Sequence, residues 1–139
     1  MTSEPVATRH RAIILVVERD PHIRALESFF LNEAGFGVEF ASDGLAALQL
    51  ARAIKPDIII TEVLVPKLDG LALCRALRKE AELKDTVVLV FSILAAATRA
   101  REAGADAFLM KPLAEQRLVQ TVRDLLARRR ATRAAAGPA

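Results

Sequence analysis

The stretch Pro56-Asp-Ile-Ile-Ile-Thr-Glu-Val-Leu-Val-Pro-Lys-Leu-Asp-Gly70 decides the fold predicted for this chain. Its isoleucines at 58–60 form a continuous apolar run, which is typical of a strand buried on both faces of a parallel sheet. Glu62 follows this strand, so its carboxylate is predicted to lie at the carboxyl edge of the sheet. Pro66 and the pair Asp69-Gly70 break the chain before the next helix, which predicts an exposed loop from 63 to 70.

The same alternation of apolar runs and helical periods recurs on both sides of that stretch. Strands are predicted at 12–17, 38–40, 58–60, 86–91 and 107–110. Five strands alternating with five helices predict an α/β fold, a doubly wound, flavodoxin-like parallel sheet of order 2-1-3-4-5 with helices on both faces. Its functional crevice would lie beyond the carboxyl ends of the first and third strands, and the polar residues carried to that edge are Glu18, Arg19, Asp20, Glu62, Ser92 and Lys111.

Helix limits are predicted from capping residues and apolar periods. The first three helices begin after the aspartates at 20, 43 and 69, and the third is predicted to end near residue 81. The fourth is predicted to cover 93–103 and the fifth to run from about 114 to 130. In the first helix, the predicted inward face carries Ile23, Leu26 and Phe30.

Composition indicates one domain with a basic end. With 53% hydrophobic residues, the chain can bury a single core. Residues 1–10 are predicted to be a flexible lead-in, 11–127 the domain, and 128–139 a basic, flexible tail. The formal charge of +3 includes four tail arginines, so residues 1–127 carry −1, and nucleic-acid binding is not expected.

Neither a membrane-spanning segment nor a reactive thiol is expected. No apolar run reaches the ~18 residues that cross a bilayer, so no membrane span is predicted and the expected location is cytoplasmic. The single cysteine, Cys74, has helical spacing to Leu71 and Leu77, which predicts a buried core thiol. One cysteine and two histidines exclude a dedicated Cys/His metal site.

Several motifs recur together in the order and spacing of a known family: Ile14 to Pro21, Pro56 to Gly70, Ser92, and Gly104 to Pro112. Over about residues 11–127 the chain resembles the receiver domain of two-component response regulators. The resemblance implies a domain that takes a phosphoryl group from a histidine kinase onto an aspartate, uses Mg²⁺ held by acidic residues, and switches a distant face.

The resemblance also implies roles for residues on the fourth and fifth strands. Ser92 and Lys111 match the hydroxyl and the lysine that contact the phosphate. Phe108 lies at the aromatic switch position, where a ring turns inward when the hydroxyl is drawn towards the phosphate. The peptide bond between Lys111 and Pro112 is commonly cis in the family, which would aim the lysine into the site.

Two positions depart from the family pattern. Glu62 replaces the phosphoacceptor aspartate and extends its carboxylate by about 1.5 Å, and Arg19 replaces an acidic metal ligand. An arginine there removes an oxygen ligand and repels Mg²⁺, leaving Glu18, Glu62 and the carbonyl of Leu64 as the remaining candidates. We therefore expect no metal and no other cofactor, with Mg²⁺ required only if the domain is phosphorylated.

Several alternatives remain open at this stage. Arg19 could pair with Glu62 or Glu18 in place of the metal, or it could point into water. Asp20 could be a helix cap or a ligand. Glu62 could mimic the phosphorylated state by reaching Ser92 and Lys111, or it could be an inert relic. In either case we expect Lys111 to pair with Glu62, because a buried charge needs a partner.

The leading functional hypothesis is a stand-alone, non-enzymatic pseudo-receiver that binds a partner protein, either a histidine kinase or a downstream effector. The family's partner or homodimer face lies on helix four, strand five and helix five. Here that face is shortened, because only eleven residues separate Ser92 from Gly104, about three fewer than is usual.

The alternatives to this hypothesis are a phosphorylatable regulator of weak Mg²⁺ dependence, with Glu62, Asp20 or Asp69 as acceptor, and a flavodoxin-like cofactor binder. A cofactor binder of that kind would need a Ser/Thr/Gly-rich phosphate loop after strand one, and this sequence does not have one.

Overall fold

Strands and helices alternate throughout residues 11–136, the part of the chain that the computed structural model describes. The strands are β1 (Ile13–Val17), β2 (Gly37–Ala41), β3 (Ile58–Thr61), β4 (Val87–Ser92) and β5 (Ala107–Met110). The helices are α1 (Pro21–Glu33), α2 (Gly44–Ile54), α3 (Gly70–Arg78), α4 (Ala97–Glu102) and α5 (Glu115–Ala136). The predicted lead-in, residues 1–10, lies outside the described residues.

All strand pairs are parallel, and the sheet order is β2-β1-β3-β4-β5, which confirms the predicted fold class. The register aligns the carboxyl ends of the central strands, because Val17 pairs with Thr61 and Thr61 pairs with Val90. The residue after β3, Glu62, donates its N–H to the carbonyl of Val17 at 3.0 Å. The sheet therefore brings the residues that follow β1 and β3 to one edge.

The sheet separates two apolar layers, and alternate residues of each strand enter opposite layers. Leu15 and Val17 pack with α2, α3 and α4, whereas Ile14 and Val16 pack with α1 and α5. Cys74 of α3 is fully buried in the first layer and burial raises its pKa, so the predicted core thiol is confirmed. Both faces of the central strands are covered, which explains their unbroken apolar runs.

Three aspartates cap helices as predicted. Asp20 accepts hydrogen bonds from the N–H groups of residues 22 and 23 at the start of α1. Asp43 and Asp69 do the same at α2 and α3, with N···O distances of 2.7 to 2.8 Å. These bonds satisfy N–H groups that have no partner within the helix, so each helix begins at a fixed residue close to the site edge.

Two helices are shorter than predicted. α3 ends at Arg78, whose guanidinium binds the carbonyls of Lys84, Thr86 and Gly104 and so turns the chain back towards β4. α4 has six residues, and the predicted start at residue 93 is wrong. The N–H of Ile93 donates instead to Glu62 Oε2, and the next N–H donates to the hydroxyl of residue 92.

The last helix is longer than predicted. α5 continues to Ala136, so a flexible tail starting at residue 128 is the wrong description for residues 128–136. Alanine and arginine are strong helix formers, and Arg129 donates to the carbonyl of Asp57 at 2.7 Å. None of the described helices is long and apolar enough to cross a membrane.

Candidate functional site

Four side chains meet where four parallel strands end. Glu18 follows β1, Glu62 follows β3, Ser92 ends β4 and Lys111 follows β5. Glu18, Glu62 and Ser92 are buried, and the Lys111 side chain is 9% exposed. The structure therefore assembles these predicted residues into one buried polar cluster.

Both carboxylate oxygens of Glu62 are bound. Oε1 accepts hydrogen bonds from the hydroxyl of Ser92 and, at 2.7 Å, from the N–H of Val63. Oε2 accepts one from the N–H of Ile93 at 3.2 Å and lies 3.3 Å from the ammonium of Lys111. Burial would raise the pKa of Glu62, but the hydrogen bond from Ser92, the charge of Lys111 and the two backbone donors together lower it. Glu62 is therefore held as an anion.

The backbone around Glu62 is also tightly fixed. A Cβ atom on Gly70 would lie 2.2 Å from the carbonyl oxygen of Glu62, so only glycine fits there. The hydroxyl of Thr61 donates to the same carbonyl at 2.8 Å. The loop predicted to be exposed is only partly so, because Val63 and Val65 are buried in the core while Leu64 is 45% exposed. This packing fixes the backbone that carries the Glu62 side chain.

Lys111 is the cation of the cluster. Its ammonium lies 2.5 Å from Glu18 Oε1, 3.3 Å from Glu62 Oε2 and 3.6 Å from Glu27 Oε2. It also lies 5.1 Å from the centre of the Phe91 ring. Burial would lower the pKa of Lys111, but the hydrogen bond to Glu18 and the three carboxylate charges raise it. The peptide bond that follows Lys111 is cis, as the family resemblance implies.

Glu27 is a site residue that the sequence prediction missed. The inward face predicted for this helix was Ile23, Leu26 and Phe30. In the structure Glu27 and Leu31 are the buried residues of α1, and Leu26 is 52% exposed. Burial raises the pKa of Glu27 to about 7, with Lys111 opposing the shift. Its spacing of four residues from both Ile23 and Leu31 was the available signal, since such positions share a helix face.

Arg19 and Asp20 lie outside the cluster. The Arg19 residue is exposed, and within residues 11–136 no carboxylate lies within 4.0 Å of its guanidinium. The geometry thus matches the alternative in which Arg19 points into water. Asp20 is the cap of α1, and its N–H donates to Glu18 Oε2 at 3.0 Å. Hydrogen bonds from two backbone N–H groups of α1 lower the pKa of Asp20.

The aromatic residue at the switch position lies on β5, which packs against α4. Phe108 of β5 is half-buried and packs against the apolar layer that includes Ala96 and Ala100. Its ring also borders a shallow cavity formed with residues 95–99. Phe108 thus contacts the short α4 segment, which begins four residues after Ile93.

These residues do not fit a magnesium ion in this arrangement. Mg²⁺ needs free oxygen ligands in near-octahedral geometry, whereas Glu62 and Glu18 direct their oxygens to Lys111 and to hydrogen-bond donors. In the described part of the chain, no three His, Cys, Asp or Glu side chains are grouped so that they could hold a metal ion. The ammonium of Lys111 occupies the centre of the carboxylates instead.

The family model for the response regulator receiver domain matches residues 14–123. The chain belongs to this family. Receiver domains are signalling modules that interact with histidine kinases and effectors. The receiver fold explains why these polar residues converge at one edge of the sheet.

Similar proteins support the same assignment. The DNA-binding dual master transcriptional regulator RpaA of Synechocystis is 35% identical over 118 residues, which cover 83% of this chain and 49% of that protein. The response regulator MprA of Mycobacterium leprae is 36% identical over 83% of this chain and 51% of its own length. This receiver thus spans about half the length of the curated relatives it matches.

Two solved structures show the same fold. The chemotaxis response regulator CheY4 of Vibrio cholerae superposes with a TM-score of 0.79 at 30% identity, over 83% of this chain and 98% of that one. The receiver domain of a signal transduction histidine kinase from Syntrophus aciditrophicus gives a TM-score of 0.79 at 34% identity, over 84% and 90% of the two chains. The five-stranded sheet of this receiver is therefore the common architecture of the family.

Proposed function

We propose that this receiver is not phosphorylated at the usual position and that it acts by binding a partner protein of a two-component pathway. Glu62 takes the place of the acceptor aspartate, and its carboxylate serves as a permanent anion in the site. The partner is a histidine kinase or a downstream effector. Neither Mg²⁺ nor another cofactor is required for this role.

The observation that carries the proposal is the full set of contacts to Glu62. A hydroxyl, an ammonium and two backbone N–H groups surround its two oxygens. Donors of these kinds stabilise the oxygens of a transferred phosphoryl group. Because the carboxylate of Glu62 already binds them, it stands in for the anion that phosphorylation would otherwise supply.

The same contacts oppose phosphoryl transfer to Glu62. A carboxylate acts as a nucleophile through a free oxygen directed at phosphorus, whereas each Glu62 oxygen is bound by two donors. A glutamate also displaces the carboxylate by about 1.5 Å from the position of an aspartate. Displacements near 1 Å cost on the order of a hundredfold in rate.

The carboxylate is linked to the proposed partner face through Ile93. The N–H of Ile93 donates to the carboxylate of Glu62. The segment after Ile93 leads into α4, and residues 95–99 of this region line one cavity together with Phe108 of β5. We place partner binding, or pairing of two copies, on the face formed by α4, β5 and α5. Glu62 would hold that face in one arrangement, because its contacts fix the start of the segment.

A magnesium titration tests the proposal against a phosphorylatable receiver of weak Mg²⁺ dependence. In the wild-type protein, we expect the backbone NMR signals of residues 18–20 and 62–64 to show no saturable shift at millimolar Mg²⁺. The matched control is the double variant R19D/E62D, which restores two oxygen ligands beside Glu18. We expect this variant to bind Mg²⁺ saturably. Saturable binding by the wild-type chain would contradict the proposal and favour phosphorylation.

A further inference from the structure

A cavity rich in arginine lies at the amino edge of the sheet, opposite the edge that carries the polar cluster. The residues that precede β1 and β3 and the last turns of α5 surround it, and its volume is about 260 Å³. The charged residues that line it are Arg11, Arg129, Arg130, Arg133 and Asp57. This lining therefore has a net formal charge of +3.

The backbone around this cavity is held in place by Asp57. Its Oδ2 atom accepts a hydrogen bond from the N–H of Ile13 at 2.8 Å, and its carbonyl accepts one from the guanidinium of Arg129 at 2.7 Å. These bonds join the starts of β1 and β3 to α5. Arg11 therefore lines the cavity from the side of the sheet, and the other arginines line it from the side of the helix.

Three of the four arginines are not neutralised by any side chain of the described residues. Arg129 is the one member of the set that has an ion pair or a side-chain hydrogen bond within residues 11–136. Arg11, Arg130 and Arg133 are exposed, so a ligand can reach their guanidinium groups. Burial lowers the pKa of Arg129, and the charge of Arg133 lowers it further, because the two cations repel each other. An anion in the cavity would reduce that repulsion.

The arrangement of the arginines favours an anion that carries several charged oxygens on linked groups. A guanidinium group binds phosphate oxygens in pairs, so each exposed arginine needs oxygens of its own. A single carboxylate or orthophosphate has too few oxygens for arginines on two sides of a cavity. A nucleic-acid duplex carries its phosphates on a convex surface that cannot enter a cavity of 260 Å³, whereas two linked phosphoryl groups can lie within it.

We propose that this cavity binds a pyrophosphate group, either as the free anion or as part of a nucleotide, whose oxygens accept hydrogen bonds from Arg11, Arg130 and Arg133. A second cavity of about 400 Å³ is also lined by Arg133 and has apolar contacts to offer from Val87 and Leu125. The rest of a nucleotide would lie there. Because this site is at the opposite edge of the sheet from the polar cluster, it does not depend on the function proposed above.

Calorimetric titration with sodium pyrophosphate, at constant ionic strength and without divalent metal, tests the site. We expect saturable binding, with affinity at least about tenfold higher than for orthophosphate, because one phosphoryl group reaches fewer arginines. Backbone NMR signals of residues 11–12 and 126–133 should shift, whereas those of residues 62 and 111 should not. A titration that does not saturate, or equal affinity for the two anions, would overturn the proposal.

Two competition experiments identify the source of the phosphates. ATP should displace pyrophosphate and shift the same NMR signals, since it carries the same linked phosphoryl groups. Tighter binding of ATP would identify a nucleotide as the ligand, and tighter binding of pyrophosphate would identify the free anion; both support the site. A DNA duplex at the same phosphate concentration should not displace pyrophosphate. Displacement by the duplex would overturn the proposal, because it would show a surface that binds any polyanion.

Two variants assign the binding to the arginines of α5. R130Q and R133Q each remove one charge from the cavity and should weaken pyrophosphate binding by about tenfold. Both positions are exposed, so the variants should fold as the wild type does. R117Q is the matched control, because Arg117 is exposed near the other end of α5 and its replacement changes the net charge equally. An equal loss of affinity in R117Q would attribute binding to the overall charge and would also overturn the proposal.

Discussion

Replacing Lys111 by methionine is expected to lower the free energy of unfolding by about 3–5 kcal/mol at neutral or higher pH, because the variant leaves buried carboxylates without their cation. Lys111 lies within 3.6 Å of three carboxylates and is the one lysine or arginine in the described residues that pairs with any of them. The methionine side chain fills a volume similar to that of lysine, so the loss in stability reports the missing charge rather than a cavity. Urea unfolding of K111M and the wild-type protein at the same pH measures this loss in the free energy of unfolding.

K84M is the control for that comparison. Lys84 is exposed, and its side chain makes no ion pair within residues 11–136, so we expect a change of less than about 0.5 kcal/mol. The loss in K111M should shrink in acid, since protonation of the carboxylates removes the unpaired charges. A loss below about 1 kcal/mol at neutral pH would mean that the carboxylates are solvated, contrary to the burial described above.

Replacing Glu27 by leucine is expected to stabilise the protein, and the gain should grow with pH. The folded-state pKa of Glu27 is about 7, above the ordinary value of 4.5. The folded state therefore binds more protons than the unfolded state between these values, and the stability contribution of Glu27 falls as the pH rises through that window. Between about pH 5 and pH 8 the gain of E27L over the wild type should increase by about 2 kcal/mol.

Thermal or urea unfolding at several pH values measures that slope. E33L is a suitable control, because Glu33 is exposed on the same helix and its replacement should give a difference with little pH dependence. Removal of Glu27 leaves Lys111 paired with Glu18 and Glu62, so no new unpaired charge is created. A stability difference between E27L and wild type that does not change with pH would show that folding does not raise the pKa of Glu27, contrary to its burial in the structure.

The sheet and the strand-end residues could be predicted because their signals are local. Apolar runs such as 58–60 occur in central parallel strands, and aspartates such as Asp20 and Asp69 begin helices by bonding their own neighbours. Once the strand order is known, parallel pairing places Glu62 and Ser92 at the same edge. These inferences need no knowledge of side-chain contacts between distant parts of the chain.

The remaining features depend on such distant contacts. The burial of Glu27 was not predicted, because glutamate is rarely buried. It depends on Lys111, which lies far along the chain and is the cation that faces Glu27. The late start of α4 depends on Ile93, whose N–H donates to Glu62 and so ties the chain to the site before the helix begins. The extension of α5 is anchored by Arg129 at Asp57. Periodicity within α1 can place Glu27 on the buried face of that helix, but periodicity within one segment does not identify Lys111, Glu62 or Asp57 as the partners of these residues.

The intact mass of the protein after incubation with acetyl phosphate and Mg²⁺ tests directly whether Glu62 has replaced phosphoryl chemistry at this site. The R19D/E62D variant, treated in parallel, shows that the reagent is active, because we expect it to gain about 80 Da, the mass of one phosphoryl group. For the wild-type receiver we expect an unchanged mass. A stoichiometric gain of about 80 Da on the wild-type chain, at Glu62 or at another acid such as Asp20 or Asp69, would contradict the function proposed for it.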